Sequence, residues 1–226
     1  MIKEFFRLIY PTFCLACHKA LEGGEDTICT FCRFELPKTN FHLTSPNPLE
    51  QRFWGKIHLH RAFAYLYFIK HGKVQKLIHH LKYKGHQEVG EMLGKWYGFE
   101  LAESGFTGKF DVIVPVPLHK NKLKKRGYNQ CDAFARSLSE TLSIPVCLNA
   151  LNRITSTSTQ TKKSRFARWK NVEEIFVVNN KEEVAGKKIL LIDDVVTTGS
   201  TLEACGHVLL QEGAKELSVA CLAISQ

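Results

Sequence analysis

An apolar run that ends in two adjacent aspartates lies near the C-terminus of the 226-residue chain. Residues 188–192, Lys-Ile-Leu-Leu-Ile, have the pattern of a buried strand in a parallel sheet. Residues 193–201 then read Asp-Asp-Val-Val-Thr-Thr-Gly-Ser-Thr, and apolar side chains at helical spacing follow from Leu202 to Leu209. This strand, loop and helix predict an α/β fold, in which ligands bind where parallel strands end.

The loop in this motif has the chemistry of a phosphate site. Gly199 permits close approach of the backbone to an anion, and the helix start offers free N–H groups and a positive dipole end. Hydroxyl groups add further donors from Thr197, Thr198, Ser200 and Thr201. Since carboxylates repel phosphate, we expect Asp193 and Asp194 to bind sugar hydroxyls or hydrated Mg²⁺. A ribose 5-phosphate with a bound metal presents all of these groups.

The same motif has two other interpretations. The aspartates could merely end the strand while the Thr/Ser run caps the helix. Two Asp directly after an apolar run, and then Thr-Thr-Gly-Ser-Thr, make this the weaker interpretation. A Walker A loop is excluded, because the chain contains no Gly-Lys-Ser or Gly-Lys-Thr.

Four of the eight cysteines form a metal-binding pattern. They make two CxxC pairs separated by eleven residues: Cys14, Cys17, Cys29 and Cys32. This spacing lets two knuckles supply four thiolates to one tetrahedral zinc ion, which predicts a closed structural site. Two disulfides are the alternative in a secreted chain, and a redox CxxC does not explain two pairs. The other cysteines have the pattern of core residues: Cys131, Cys147, Cys205 and Cys221.

Positive charge is concentrated between residues 115 and 170, which contain twelve Lys or Arg against two acids. Two clusters, both predicted to lie in loops, carry most of it: Lys120, Lys122, Lys124, Lys125 and Arg126, and then Lys162, Lys163, Arg165, Arg168 and Lys170. Three interpretations stay open: solvated loops, a pyrophosphate site, or a surface for nucleic-acid phosphates. The surplus over the few cations that one pyrophosphate needs favours nucleic acid.

Several motifs together resemble a known family. Four apolar residues, Asp193-Asp194, two spacers and Thr-Thr-Gly-x-Thr resemble the phosphoribosyl pyrophosphate (PRPP) signature of type I phosphoribosyltransferases. Residues 111–119 and 126–130 match further segments. So does a spaced set of polar and aromatic residues: Arg153, Thr157, Gln160, Thr161, Arg168, Asn171 and Phe176. With its double CxxC, the chain is identified as a member of the ComF family of competence-related, phosphoribosyltransferase-like proteins.

This resemblance implies a type I phosphoribosyltransferase fold, with helices around a central, mostly parallel sheet, and a small N-terminal zinc ribbon. It implies that Asp193 and Asp194 hold ribose hydroxyls and Mg²⁺, and that residues 197–201 bind the 5-phosphate. The pyrophosphate side would comprise Val116, Pro117, Leu118, His119 and Arg126. A mobile loop at about residues 154–172 would close over the site. The family often has an acid where Ala167 stands here, so the resemblance implies the PRPP site but not the local ion pair of that acid.

Two functions of different class follow from the resemblance. One is a Mg²⁺-dependent, phosphoribosyltransferase-like protein that binds PRPP or a nucleotide and is linked to DNA uptake, with an unidentified acceptor. The other is a non-catalytic component of the competence machinery that binds single-stranded DNA. The DNA contacts would come from Lys162, Lys163, Arg165 and Arg168, and a competence helicase-type protein is an implied partner. Lys82 matches the family's Lys-Tyr-x-Gly region, where it either adds a cation or lies at a solvated helix end.

The chain is expected to have three parts: a zinc-ribbon-like segment (1–40), a linker or crossover (41–60) and a phosphoribosyltransferase-like domain (61–226). Within the last part, strands are predicted near 61–70, 111–115, 145–151, 188–192 and 216–224, with helices near 74–81, 89–101, 131–142 and 202–209. No stretch approaches the roughly 18 apolar residues of a membrane span. Charged Glu4 and Arg7 interrupt the start where a signal's apolar region would lie. We therefore expect a cytoplasmic protein.

Overall fold

A computed structural model describes residues 11–154 and 176–225. A four-stranded parallel sheet forms its centre, in the spatial order β1, β6, β5, β2. Its strands are β1 (Arg61–Phe68), β2 (Val112–Pro115), β5 (Lys188–Val196) and β6 (Glu216–Ser225). A separate antiparallel pair consists of β3 (Leu151–Arg153) and β4 (Phe176–Val178). The predicted α/β class with a parallel central sheet is confirmed.

Helices cover the sheet. They are α1 (Thr30–Phe34), α2 (Pro48–Gln51), α3 (Lys73–Tyr83), α4 (Glu88–Glu103), α5 (Lys120–Arg126), α6 (Gln130–Leu142) and α7 (Ser200–Gln211), with 3-10 turns at Phe41–Leu43 and Lys181–Glu183. Of the helices in the described ranges, none is long and apolar enough to cross a membrane. The middle strands β5 and β6 are buried along nearly their whole length, which explains their almost unbroken apolar sequences.

Helices α4 and α6 pack closely through a stripe of small residues. A Cβ on Gly94 would lie 2.7 Å from Ser137 Cβ, and one on Gly98 would lie 1.8 Å from Thr141 Oγ1. Glycine is required here because the two backbones approach too closely for a side chain. The contact holds α6 against the sheet, and the first turn of α6 carries Cys131, whose neighbours are described below.

Residues 41–60, predicted as a linker or crossover, pack against the edge of the sheet. Leu49 and Phe53 are buried in the same core as the strands. Asn47 caps α2 and donates from Nδ2 to the carbonyl of Ala62 at 2.9 Å. Glu50 Oε1 accepts from Arg61 Nε at 3.0 Å. These bonds join the segment to β1.

The structure corrects three local predictions. The apolar strand does not end at Ile192, because β5 continues to Val196 with Asp193 and Asp194 inside it. The predicted strand over 145–151 does not form in the central sheet. Val146 makes a single bridge to Ile113, and Leu151 begins β3, which lies in the other sheet. The first basic cluster is the helix α5 and not a loop, with His119 as its N-cap.

Candidate functional site

Two carboxylates lie near the carboxyl end of β5, at the centre of the sheet edge where ligands bind in α/β folds. Asp194 is buried, and its Oδ1 accepts from the backbone N–H of Val195 at 2.5 Å. Its Oδ2 is buried with no hydrogen-bond partner among the described residues. Asp193 Oδ1 accepts from the N–H of Asp194 at 2.8 Å. The unsatisfied oxygen beside a second carboxylate fits a hard divalent cation such as Mg²⁺.

Lys82 provides the counter-ion of this acid pair. Its Nζ donates to Asp194 Oδ1 at 2.9 Å from the last turn of α3. The hydroxyl of Tyr128 donates to the carbonyl of Leu81, which ties the end of α3 to the segment after α5. The sequence left open whether Lys82 adds a cation to the site or lies at a solvated helix end. In the structure it contacts Asp194 directly.

Cys131 lies beside the acids although its sequence pattern predicted only a core position. Its Sγ is 3.6 Å from Asp193 Oδ1. Burial and, next, the charge of Asp194 raise the pKa of Asp193 to about 7. Burial and the charge of Asp193 raise the pKa of the Cys131 thiol as well, so this sulfur stays protonated at neutral pH. Asp193 thus faces a neutral donor on one side and a like charge on the other.

The loop of residues 197–199 joins the acids to α7. Thr197, Thr198 and Ser200 are exposed, and the hydroxyls of Thr198 and Ser200 are 3.1 Å apart. Gly199 is the N-cap of α7, with φ of 84°. Thr201 lies half-buried in the first turn of α7, so every hydroxyl residue predicted for the phosphate lies in one loop or in the helix start after it.

Two residues of the 41–60 segment hold this loop, and no sequence pattern predicted a role for either. The guanidinium of Arg52 donates through Nη1 to the carbonyl of Thr197 and through Nη2 to that of Ser225. The ring of Phe53 packs against Gly199. A segment far away in sequence therefore holds the loop in place.

The segment after β2 begins next to the acids. The N–H of Val116 donates to the carbonyl of Ile192 at 2.8 Å, one residue before Asp193. Asn129, the N-cap of α6, donates from Nδ2 to the carbonyl of Val116 at 3.0 Å. Three further residues of this predicted pyrophosphate side are half-buried and lead into α5: Pro117, Leu118 and His119.

A basic cavity of about 310 Å³ adjoins the ion pair of Lys82. Four cationic residues, two tyrosines and one glycine line it: Lys82, Lys122, Lys125 and Arg126, then Tyr83 and Tyr128, and Gly85. Arg126 bonds to Gln130 Oε1 and its guanidinium carbon lies 5.5 Å from the centre of the Tyr83 ring. The predicted nucleic-acid residues Lys162, Lys163, Arg165 and Arg168 lie outside the described residues.

A separate cluster of thiols lies at the N-terminus. The Sγ atoms of Cys14, Cys17, Cys29 and Cys32 are all within 4.8 Å of one another. Cys17 and Cys29 sulfurs are 3.8 Å apart, about the separation of two ligands on a tetrahedral ion with Zn–S bonds of about 2.3 Å. The N–H of Cys29 donates to Cys14 Sγ at 3.3 Å. The four residues therefore fit a tetrahedral zinc ion, and no disulfide joins them.

The chain has relatives among characterised proteins. Residues 99–225 match the family model described as the phosphoribosyl transferase domain. DNA utilization protein YhgH of Escherichia coli strain K12 is 29% identical over 231 residues, which cover 95% of this chain and 98% of that protein. Competence protein F of Haemophilus influenzae is 38% identical over 110 residues, 48% of each chain. Competence protein ComFC of Bacillus subtilis is 35% identical over 108 residues, 48% of this chain and 42% of that protein.

Proposed function

Because the chain belongs to the phosphoribosyl transferase domain family, we propose that it is a ComF-type, phosphoribosyltransferase-like protein that binds PRPP with Mg²⁺. We also propose that it takes part in DNA uptake during natural competence. The names of its relatives, two competence proteins and a DNA utilization protein, support this second part.

One observation carries the proposal for PRPP. The buried carboxylate oxygen Asp194 Oδ2 lacks a partner among the described residues, and the carboxylate of Asp193 lies close to that of Asp194. The strand that holds both acids ends at Val196, where a hydroxyl-rich loop leads to a helix start. Carboxylates accept from vicinal hydroxyls, while backbone N–H groups at a helix start bind phosphate. One ribose 5-phosphate carries both groups, the hydroxyls for the carboxylates and the phosphate for the N–H groups of the helix start.

Each part of the site has a chemical task in this proposal. Asp193 and Asp194 bind the ribose hydroxyls and hold Mg²⁺, which would neutralise charge on a departing pyrophosphate. Lys82 and Arg126 add positive charge on the same side. Residues 116–119 position the pyrophosphate beside the acids. Catalysis of a displacement at the ribose anomeric carbon would come from positioning and charge neutralisation, with an acceptor that only an assay can identify.

Calorimetry tests this proposal directly. Wild-type protein is titrated with PRPP with and without Mg²⁺, and Asp193→Asn/Asp194→Asn is titrated in the same way. Affinity should depend on Mg²⁺ and fall about 100-fold or more in the double variant, because two charge-assisted contacts are lost. Glu140→Gln, an exposed acid on α6, is the control and should bind like wild type. Equal affinity in the double variant would refute the proposal.

An assay of chemistry is separate from binding. Isotope-labelled PRPP is incubated with candidate bases and amines, with and without single-stranded DNA, and released pyrophosphate is measured. Release that depends on one acceptor and on Asp193 identifies an enzyme. Binding without release under every condition identifies a protein that uses the fold only to bind.

A second candidate function is binding of single-stranded DNA, and helix α5 favours it. Lys120, Lys122, Lys124 and Lys125 are all exposed there. Within residues 11–154 and 176–225, no ion pair joins any of them to an acid. Four lysines on one short helix, with no acidic partner in the described part of the chain, suit a phosphate backbone.

Fluorescence anisotropy of a labelled oligonucleotide measures this binding as a function of salt. Neutralising the four α5 lysines to Gln should weaken binding and flatten its salt dependence, since each lost phosphate contact removes about 0.7 from the slope of log K against log salt. Lys162, Lys163, Arg165 and Arg168 are neutralised in a second variant. The matched control removes four exposed lysines elsewhere: Lys56, Lys95, Lys109 and Lys187. Absence of binding at low salt rejects this function.

We also propose that Cys14, Cys17, Cys29 and Cys32 hold one structural Zn²⁺. The convergence of the four sulfurs supports it, as does the donation of the Cys29 N–H to a cysteine sulfur, which is typical of thiolate ligands. All four ligand positions are sulfur, so the site is closed to substrate.

A further inference from the structure

The side chain of Lys82 lies between two sites of opposite charge. On one side its Nζ donates to Asp194 Oδ1 at 2.9 Å. On the other side it lines the basic cavity, which also contains Lys122, Lys125 and Arg126. The lysine side chain is 22% exposed and that of Asp194 is 6% exposed. Lys82 can therefore reach both places without a change of the backbone.

The contact with Asp194 places Lys82 where a divalent cation would compete with it. Positive charges a few ångströms apart repel each other, and a divalent cation carries twice the charge of the Lys82 ammonium group. A cation bound to Asp193 and Asp194 would therefore weaken the Lys82 contact. The repulsion is mutual, so Lys82 would in turn oppose the binding of a cation that brings no anionic ligand with it.

The surroundings of Lys82 allow its side chain to move while its backbone stays fixed. The hydroxyl of Tyr128 donates to the carbonyl of Leu81, the residue before Lys82. The four-carbon stem of lysine has several rotatable bonds, and the cavity that Lys82 also lines holds further cations that suit an anion. In the described part of the chain, Asp194 is the only acid in an ion pair with Lys82.

We propose that Lys82 is an internal counter-ion of Asp194 that is exchanged for a divalent cation. When the cation binds the acid pair, Lys82 leaves Asp194 and contacts the pyrophosphate group of the ligand in the basic cavity. The inference rests on the proposed function of Asp193 and Asp194. Lys82 would thus make the site bind metal and anionic ligand together in preference to metal alone.

A purely structural ion pair predicts something different. Its removal would leave Asp194 buried without a counter-ion, destabilise the site, and leave metal affinity unchanged or lower it. Counter-ion exchange predicts opposite changes for the two ligands. Removal of Lys82 removes a competitor of the cation and a partner of the pyrophosphate at once.

The experiment measures two affinities for each variant. Mn²⁺ alone is titrated with detection of free Mn²⁺ by electron paramagnetic resonance, and PRPP is titrated with Mg²⁺ by calorimetry. The variants are Lys82→Met, Lys82→Gln and the charge-conserving Lys82→Arg. Lys76→Met removes an exposed lysine from the same helix and is the control. Asp193→Asn/Asp194→Asn measures Mn²⁺ bound elsewhere, and thermal unfolding shows that each variant is folded.

Lys82→Met and Lys82→Gln should bind Mn²⁺ about tenfold more tightly and PRPP with Mg²⁺ about tenfold more weakly, the effect of one charge-assisted hydrogen bond in each case. Lys82→Arg and Lys76→Met should bind Mn²⁺ like wild type. Unchanged or weaker Mn²⁺ binding by the folded Met and Gln variants would overturn the exchange, even if wild type binds PRPP. If wild type binds Mn²⁺ at the acids but no PRPP, the proposed function fails and the anion half of the exchange fails with it.

Discussion

The ring of Phe53 lies against Gly199, with its Cζ atom 2.9 Å from the point that a Cβ on residue 199 would occupy. The φ of Gly199 is 84°, in the left-handed region. Residue 199 is therefore glycine for two reasons that do not involve a ligand: its backbone conformation and the ring beside it. The predicted approach of an anion at this glycine adds a third reason if phosphate binds there.

Gly199→Ala should destabilise the protein by about 2–4 kcal/mol, because positive φ and overpacking each cost about 1–2 kcal/mol. Gly127→Ala is the matched control, since Gly127 has the same φ of 84° but nothing within 4 Å of an added Cβ. The measurement is urea unfolding of both variants. Equal losses in the two would show that the Phe53 contact contributes nothing.

Arg52→Met should loosen the loop of residues 197–199. The guanidinium bonds two carbonyls, those of Thr197 and Ser225, and both would lose their donor. We expect a loss of about 1–3 kcal/mol in stability and weaker PRPP binding. Lys56→Met removes one exposed charge from the same segment and should change neither quantity. Normal PRPP affinity in Arg52→Met would show that the loop needs no support from this residue.

The stability of the metal-free acid site should fall as pH rises. Because burial and Asp194 raise the pKa of Asp193 from 3.8 to about 7, the native state binds a proton more tightly than the unfolded chain. The stability from this proton is complete at acidic pH and is lost as pH rises towards 7. The side chain of Asp193→Asn does not titrate, so the variant does not lose stability in this way. Between pH 5 and pH 8 its free energy of unfolding should therefore rise by about 2 kcal/mol relative to that of wild type.

Thermal unfolding of both proteins across this pH range, in buffer without divalent cations, provides the measurement. Glu140→Gln should follow the wild-type profile, because Glu140 is exposed. Parallel profiles for wild type and Asp193→Asn would contradict the raised pKa.

Removal of zinc should destabilise the N-terminal region. Purified protein should contain about one zinc per chain, and Cys14→Ser should lower both the zinc content and Tm, because zinc binding is coupled to folding of its site. Cys147→Ser changes a half-buried cysteine outside the cluster and should keep full zinc content. Zinc-free wild-type protein with an unchanged Tm would refute the prediction.

Local patterns were sufficient for the fold class and for the family. The resemblance to the ComF family, made from the Asp-Asp and Thr-Thr-Gly motif and the double CxxC, is confirmed by relatives named for competence and by the matching family model. Strands β1, β2 and β6 and helices α3, α4, α6 and α7 lie where periodicity predicted them. These features depend on neighbours in sequence, since side-chain period and turn residues act within a few positions.

The prediction was poorer where pairing between distant segments decides the structure. Isolated Val146 pairs with Ile113, although the apolar sequence around it predicted a longer strand. Asp193 is strand rather than loop because β6 continues alongside it, with Cys221 as its partner in register. The local sequence around an acid that follows an apolar run does not show how far the neighbouring strand extends.

Sequence alone established the acids, the hydroxyl-rich loop, the four zinc-binding candidates and the parallel α/β class. Tertiary structure decided what surrounds the acids: Lys82 is 112 positions from Asp194, Cys131 is 62 from Asp193, and Arg52 is 145 from Thr197. Periodicity encodes which face of an element is buried, but it does not encode which distant side chain faces that element. Only the packing of the helices and the crossover against the sheet brings these side chains together and gives the acid pair its counter-ion.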